Sequence, residues 1–202
     1  MYEMPNLPYV PKVSYRIFEP GTACANAKPG DVVLVEHPPV VDRQTAARLI
    51  RVGQRIRYGW YRFLGKNGFE AHYCNWSHAA TVINEHGAIV EMALHGGRVA
   101  LLSEFTTARY AVVHFEESTQ AQIDAAVNAA TLDIGVRYAI LSFIGLGIGA
   151  FLGGWNLVIG SGTQKECSAA ACLAARCHGL IPDRNDICVM PADLARYFKI
   201  EE

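Results

Sequence analysis

The chain contains no C-x-x-C pair, no surplus of basic residues, no internal repeat and no basic-then-apolar opening. Each absence closes a class of function. Without C-x-x-C spacing the strongest zinc and thioredoxin-type signals are missing. With 18 Lys and Arg against 19 Asp and Glu, the formal net charge is −1. A nucleic-acid binder would show clustered basic residues on an overall basic domain, so nucleic acid is set aside as a partner. The opening "MYEMPNLPYVPKVSYRIFEPG" lacks the basic and apolar regions of a secretory signal, which predicts a cytoplasmic protein. Disulfides are not called for either. Cys24, Cys74, Cys167, Cys172, Cys177 and Cys188 are even in number, but a 202-residue chain that is 51% hydrophobic can bury a core unaided. Reduced thiols are expected.

What is present reads as one domain over residues 1–202. An irregular, Pro-rich lead of residues 1–28 runs into "KPGDVVLVEHPP", where Val32 to Val35 form a first strand between turn signals. The stretch "RQTAARLIRVGQRIRYGWYRFLG" predicts a helix, followed by a loop through Cys74. The two strands of a hairpin within Asn75 to Gly97 and the strand-like runs at 98–102 and 110–115 have short links, which implies an antiparallel sheet. Ile123, Val127, Ala130 and Ile134 then fall at helical spacing, with Gly135 suited to a C-cap. A cysteine-bearing helix and the short closing helix of "VMPADLARYF" complete an α+β chain.

The run "NWSHAATVINEHGAIVEMALHGG" is an apolar hairpin carrying a histidine and a glutamate. With its turn centred on Asn84 to Gly87, cross-strand pairs sum to 171, so Ala80 faces Glu91. His78 shares Ala80's face, which makes Glu91 its diagonal neighbour, within reach of long side chains. A carboxylate so placed can fix an imidazole in the way the third member of a nucleophile–base–orienter triad does. Rim residues in contact with water are the plainer reading of the same pair.

A nucleophile is available in "SGTQKECSAAACLAARCHG". Thr163 with Glu166 three residues on reads as a capping box, which puts Cys167 in the first helical turn. There the free N–H groups and the helix dipole favour thiolate. Cys172 and Cys177 fan around the helix and read as small core residues.

The ordered set "GDVVLV", "WSHAATVI", "IVEMA", "G-x-x-Y" at Gly135 to Tyr138, "KECSAAA" and "MPADLA" resembles the permuted papain-like amidases of the YiiX/YaeF type, relatives of the NlpC-type cell-wall peptidases. The resemblance spans about Pro29 to Phe198. It implies a circularly permuted papain-like fold, with an antiparallel sheet packed on a cysteine-bearing helix. It also implies Cys167 as nucleophile, His78 as base, Glu91 as orienting residue and the Cys167 N–H in an oxyanion hole. The hairpin argument reaches His78 and Glu91 without it.

The expected activity is a cysteine amidase or peptidase acting on a small peptide-like substrate, cell-wall-derived in the first instance. Trp76, Ser77 and Glu166 are candidates for the substrate-binding wall. The alternatives are acyl chemistry of the lecithin-retinol acyltransferase-like type and a non-catalytic binding module. No cofactor is implied. His72, Cys74 and His78 have close spacing, but no second ligand pair follows, so no metal is called for.

Two stretches depart from the family's pattern. Arg43 to Asn75 is longer than expected and reads as a lid or substrate wall. Tyr138 to Gln164 is free of charge and longer than the roughly 20 residues that span a bilayer. A single span would put His78 and Cys167 on opposite sides of the membrane. The stretch, 138–164, is therefore expected to be a buried or lid element, with contact to a membrane surface or an acyl chain as the other reading.

Overall fold

A computed structural model describes residues 8–36, 41–93, 95–138, 164–182 and 189–201. The described chain is mixed α+β. Its main sheet has the order β1-β6-β2-β3-β4-β5, formed by β1 (Val13–Phe18), β2 (Val32–Val35), β3 (His78–Val82), β4 (Ala88–Ala93), β5 (Gly96–Leu101) and β6 (Tyr110–Phe115). Every registered pair in it is antiparallel. Helix α1 (Val41–Phe63) lies between β2 and β3 in the chain, and α2 (Gln120–Thr131) follows β6. Helices α3 (Cys167–Cys177) and α4 (Pro191–Tyr197) come last.

The strands read as near-continuous apolar runs because both faces of the sheet are covered. Alternate residues go to opposite sides. Val32, Leu34, Ala79, Ala111 and Val113 pack with Ala171, Cys172 and Ala175 of α3 and Leu194 and Ala195 of α4. Val33, Val35, Ala80, Val82, Ile89 and Val112 pack under Leu102 and Phe105. Alanines on α3 leave little side chain between the helix and the sheet, so its first turn can approach β3 closely.

Four expectations need correcting. The lead of residues 1–28 is not irregular throughout, since β1 lies inside it and pairs with β6 from Val13–Phe115 to Phe18–Tyr110. Its prolines flank the strand and do not interrupt it, so every ladder N–H survives. The loop predicted through Cys74 contains a 3₁₀ turn at Ala71–Asn75.

Helix α2 stops at Thr131, before Gly135. The next residues are drawn onto β5: the Gly97 N–H donates to Val136 O and the Gly135 N–H to Gly97 O, each at 2.8 Å. Its N-terminus carries a capping box of Thr119 and Gln122, a spacing of three that marks a helix start.

The capping box expected of Thr163 and Glu166 does not form at Glu166, and Thr163 lies outside the described residues. Glu166 is itself the N-cap of α3, with extended backbone and no side-chain cap hydrogen bond. The cause is just upstream, where β8 (Gln164–Lys165) pairs in parallel with β7 (Arg137–Tyr138) and holds the chain extended. The C-terminus follows expectation. Gly179 has φ +101, its N–H reaches Arg176 O and that of Leu180 reaches Ala175 O, which is a Schellman closure.

Of the apolar stretch from Tyr138 to Gln164, all but the two end residues lies outside the described residues. Those ends sit side by side in β7 and β8. A single bilayer crossing would hold them about 30 Å apart. Among the described residues no helix is long and apolar enough to cross a membrane.

Candidate active site

The β3–β4 hairpin has the register read from its turn. Ala80 pairs with Glu91, Thr81 with Val90 and Val82 with Ile89. Asn84 sets the turn, its Oδ1 accepting from the N–H groups of His86 at 3.0 Å and Ala88 at 2.9 Å. His78 opens β3 and pairs backbone to backbone with Val35 of β2. From there its Nε2 meets Glu91 Oε2 at 2.6 Å.

Cys167 is the first residue of α3, close enough to the His78 ring to raise its pKa. With Nε2 held by Glu91, Nδ1 is the ring nitrogen left for another partner. Burial pushes the imidazole's pKa down, but Cys167 and Glu91 outweigh it and raise the value to about 9. A protonated ring is therefore the favoured state at neutral pH. Phe105 stands edge-on to the ring at 5.8 Å and limits its tilt.

Glu91 is 2% exposed. A carboxylate there is tolerable only because it is paired. Arg98, opposite it in the β4–β5 ladder, donates from Nε to Glu91 Oε1 at 2.8 Å, and its Nη2 also reaches Glu104 Oε2 at 2.6 Å. The line of groups thus runs from Cys167 through His78, Glu91 and Arg98 to Glu104 at the surface. Arg98 was not singled out from the sequence. The tight turn that sets Ala93 against Gly96 carries the signal, since it makes β4–β5 pairs sum to 189.

The other candidate residues are placed differently. Trp76 is buried in the core beneath the helices, and the Ser77 hydroxyl donates to the Glu36 carbonyl. Both hold the strand that carries His78. Glu166 is 3% exposed and its Oε1 has no hydrogen-bond partner among the described residues. Burial raises its pKa to about 8 against the opposing pull of Arg57, so it is a neutral acid at pH 7. Cys167 is 1% exposed and packs with Met92, Ala170 and Val136, so its thiol lies against an apolar wall. Among the described residues no three His, Cys, Asp or Glu side chains are grouped to hold a metal. Cys74 is buried in the core, where desolvation lifts its pKa to about 12.

Two histidines without visible partners in the sequence prove to be structural. His178 caps α3, stacks on Phe115 at 4.2 Å, and bonds Ser118 Oγ at 2.7 Å and Gly30 O at 3.2 Å. Burial lowers its pKa, so the neutral ring joins the helix end to the approach to β2. A Cβ at Gly30 would lie 2.9 Å from His178 Nε2. His114 Nδ1 meets Asp31 Oδ1 at 2.8 Å on the other face of the sheet.

No family model, curated protein or solved structure matches the chain.

Proposed function

We propose that the protein is a thiol-dependent acyl-transfer enzyme, a cysteine amidase or peptidase, with a circularly permuted papain-like fold. The observation that carries this reading is the position of His78, hydrogen-bonded to the carboxylate of Glu91 at 2.6 Å and coupled electrostatically to Cys167 at a helix N-terminus. Nucleophile, base and orienter are what covalent acyl chemistry needs, in the order it needs them.

In this mechanism the Cys167 thiolate attacks an amide carbonyl carbon and forms the S–C bond. The developing oxyanion is met by first-turn N–H groups, which an α-helix leaves without intrahelical partners. His78 gives its Nδ1 proton to the leaving nitrogen as the C–N bond breaks. Water then attacks the thioester, His78 takes its proton, and the S–C bond breaks to restore the thiolate. Glu91 keeps the ring's second nitrogen engaged throughout.

A small peptide amide is the substrate class favoured by the family resemblance. The apolar wall of Met92, Ala170 and Val136 beside the thiol favours the second reading, in which the transferred group is a fatty acyl chain.

The test is alkylation of the native protein by iodoacetamide across pH, read cysteine by cysteine by mass spectrometry, followed by turnover of peptide amides and acyl esters. Labelling of Cys167 ahead of Cys74 and Cys172 at pH 6.5, slowed by His78→Ala, supports the triad. Faster ester than amide turnover selects the acyl reading. Inertness of Cys167 in the folded protein, with and without detergent, returns the chain to the class of binding modules.

A further inference from the structure

Helix α1 is docked by one face only. Ala47, Ile50, Gln54, Arg57 and Tyr58 are buried. Gln54 holds the helix in place, donating to Cys74 O at 3.3 Å and Trp76 O at 2.9 Å and accepting from the Ala192 N–H at 2.9 Å. The opposite face should then be polar, as on an ordinary surface helix. It is not. Val52 is 56% exposed, Ile56 40%, Trp60 36% and Phe63 79%, and Leu64 just past the helix end is 51% exposed.

Steps of four, four and three keep these side chains on one stripe. Trp60 and Phe63 stack on each other at 5.5 Å, so the stripe is continuous at its wide end. Beside it runs a second row. Arg48, Arg55 and Arg62 are spaced by seven residues, two helical turns, and all three are exposed. Lys66 continues the row beyond the helix. From Arg43 to Phe69 the chain has seven basic residues and no acidic one, in a protein of net charge −1.

We propose that this face of α1 is a docking surface for an anionic lipid bilayer, on which the helix lies flat. Aromatic and aliphatic side chains would enter the headgroup boundary, while the arginine row meets lipid phosphates. This combination is that of an interfacial helix. A single-stranded nucleic acid would meet the arginines but would leave Val52, Ile56 and Leu64 without a role. The inference is independent of the catalytic reading and adds an orientation to it, because the inner face of α1 holds the chain that leads into His78.

The test is flotation of the full-length protein with vesicles of phosphatidylcholine alone and with about one third phosphatidylglycerol. Two double variants accompany it, Val52→Glu with Phe63→Glu and Arg48→Glu with Arg62→Glu. All four sites are exposed, so the variants should fold, which far-ultraviolet circular dichroism checks. The expected result is binding to the anionic vesicles only, weakened by salt and lowered about tenfold or more in each double variant. Four outcomes overturn the proposal. They are no flotation with anionic vesicles, flotation that neither variant changes, tighter binding to a single-stranded oligonucleotide than to lipid, and a lipid-free dimer that Val52→Glu with Phe63→Glu dissociates.

Discussion

Arg98 stands directly across from Glu91, and both its Nε and its Nη2 reach Oε1, the carboxylate oxygen that His78 does not use. The guanidinium, 41% exposed along its side chain, thereby ties a buried carboxylate to the surface. It contacts Glu91 and Glu104, and bears on His78 only by way of Glu91.

Arg98→Met should slow alkylation of Cys167 at pH 6.5 by about ten- to a hundredfold, the scale of one lost charge-assisted hydrogen bond. At pH 10 the rate should match the wild type, since hydroxide then supplies thiolate without help from His78. A loss of equal size at both pH values would mean that Arg98 merely supports the fold. Arg98→Lys should restore part of the difference.

His78 should titrate near 9 in the wild type, followed by its ring resonances in NMR. In Cys167→Ala the value should fall, because burial keeps pulling it down while the raising influence of Cys167 is gone. The linked effect on stability has a fixed sign. A histidine raised above its unfolded value of 6.5 gives its full contribution below that pH and loses it as pH climbs to about 9. Chemical denaturation at pH 6 and pH 9 should therefore show a larger drop in the wild type than in the alanine variant.

Glu166 predicts the opposite of a stabilising carboxylate. Its folded value near 8 lies above the unfolded 4.5, so folding takes up a proton and stability declines as pH rises between those values. Glu166→Gln should stabilise the protein by about 1 to 3 kcal/mol at pH 7 and have little effect near pH 4, measured by urea unfolding. A destabilised variant at pH 7 would show that the ionised form is in use.

Gly97→Ala should destabilise the protein by about 2 to 3 kcal/mol, because a Cβ there would overlap the Asp133 carbonyl oxygen. The same change should slow Cys167 alkylation, since residues 133–136 lead into the β7–β8 pair that sets the start of α3. Thermal melting together with the labelling rate checks both.

The hairpin was legible because its turn residues fix the register, and the register alone brings Glu91 to His78. Cys167 was placed in the first helical turn by the Thr163–Glu166 capping signal, and it lies in that turn although the helix begins at Cys167, three residues later than the signal implied. The strand Val13–Phe18 was obscured by prolines on either side, although Val13, Tyr15 and Ile17 alternate with Ser14 and Arg16 as a half-buried strand should. Arg98, Ser118 and Gly30 were out of reach for a different reason. Their partners are set by pairings between distant parts of the chain, or by a turn whose register was not followed. The start of α3 was displaced by two residues of parallel pairing with Arg137 and Tyr138, a tertiary contact that overrides a good local capping signal.

Arg137 and Gln164 are neighbours in a two-stranded ladder, and Tyr138 and Lys165 are the next rung. Chain that leaves after Tyr138 comes back at Gln164, one rung away and just ahead of Cys167. Because closure entropy grows only with the logarithm of loop length, the insertion between them can lengthen, shorten or change composition at a cost of well under about 1 kcal/mol per doubling. Sequence change between the two rungs is then free to accumulate in descendants of this gene while Cys167 and His78 stay where they are.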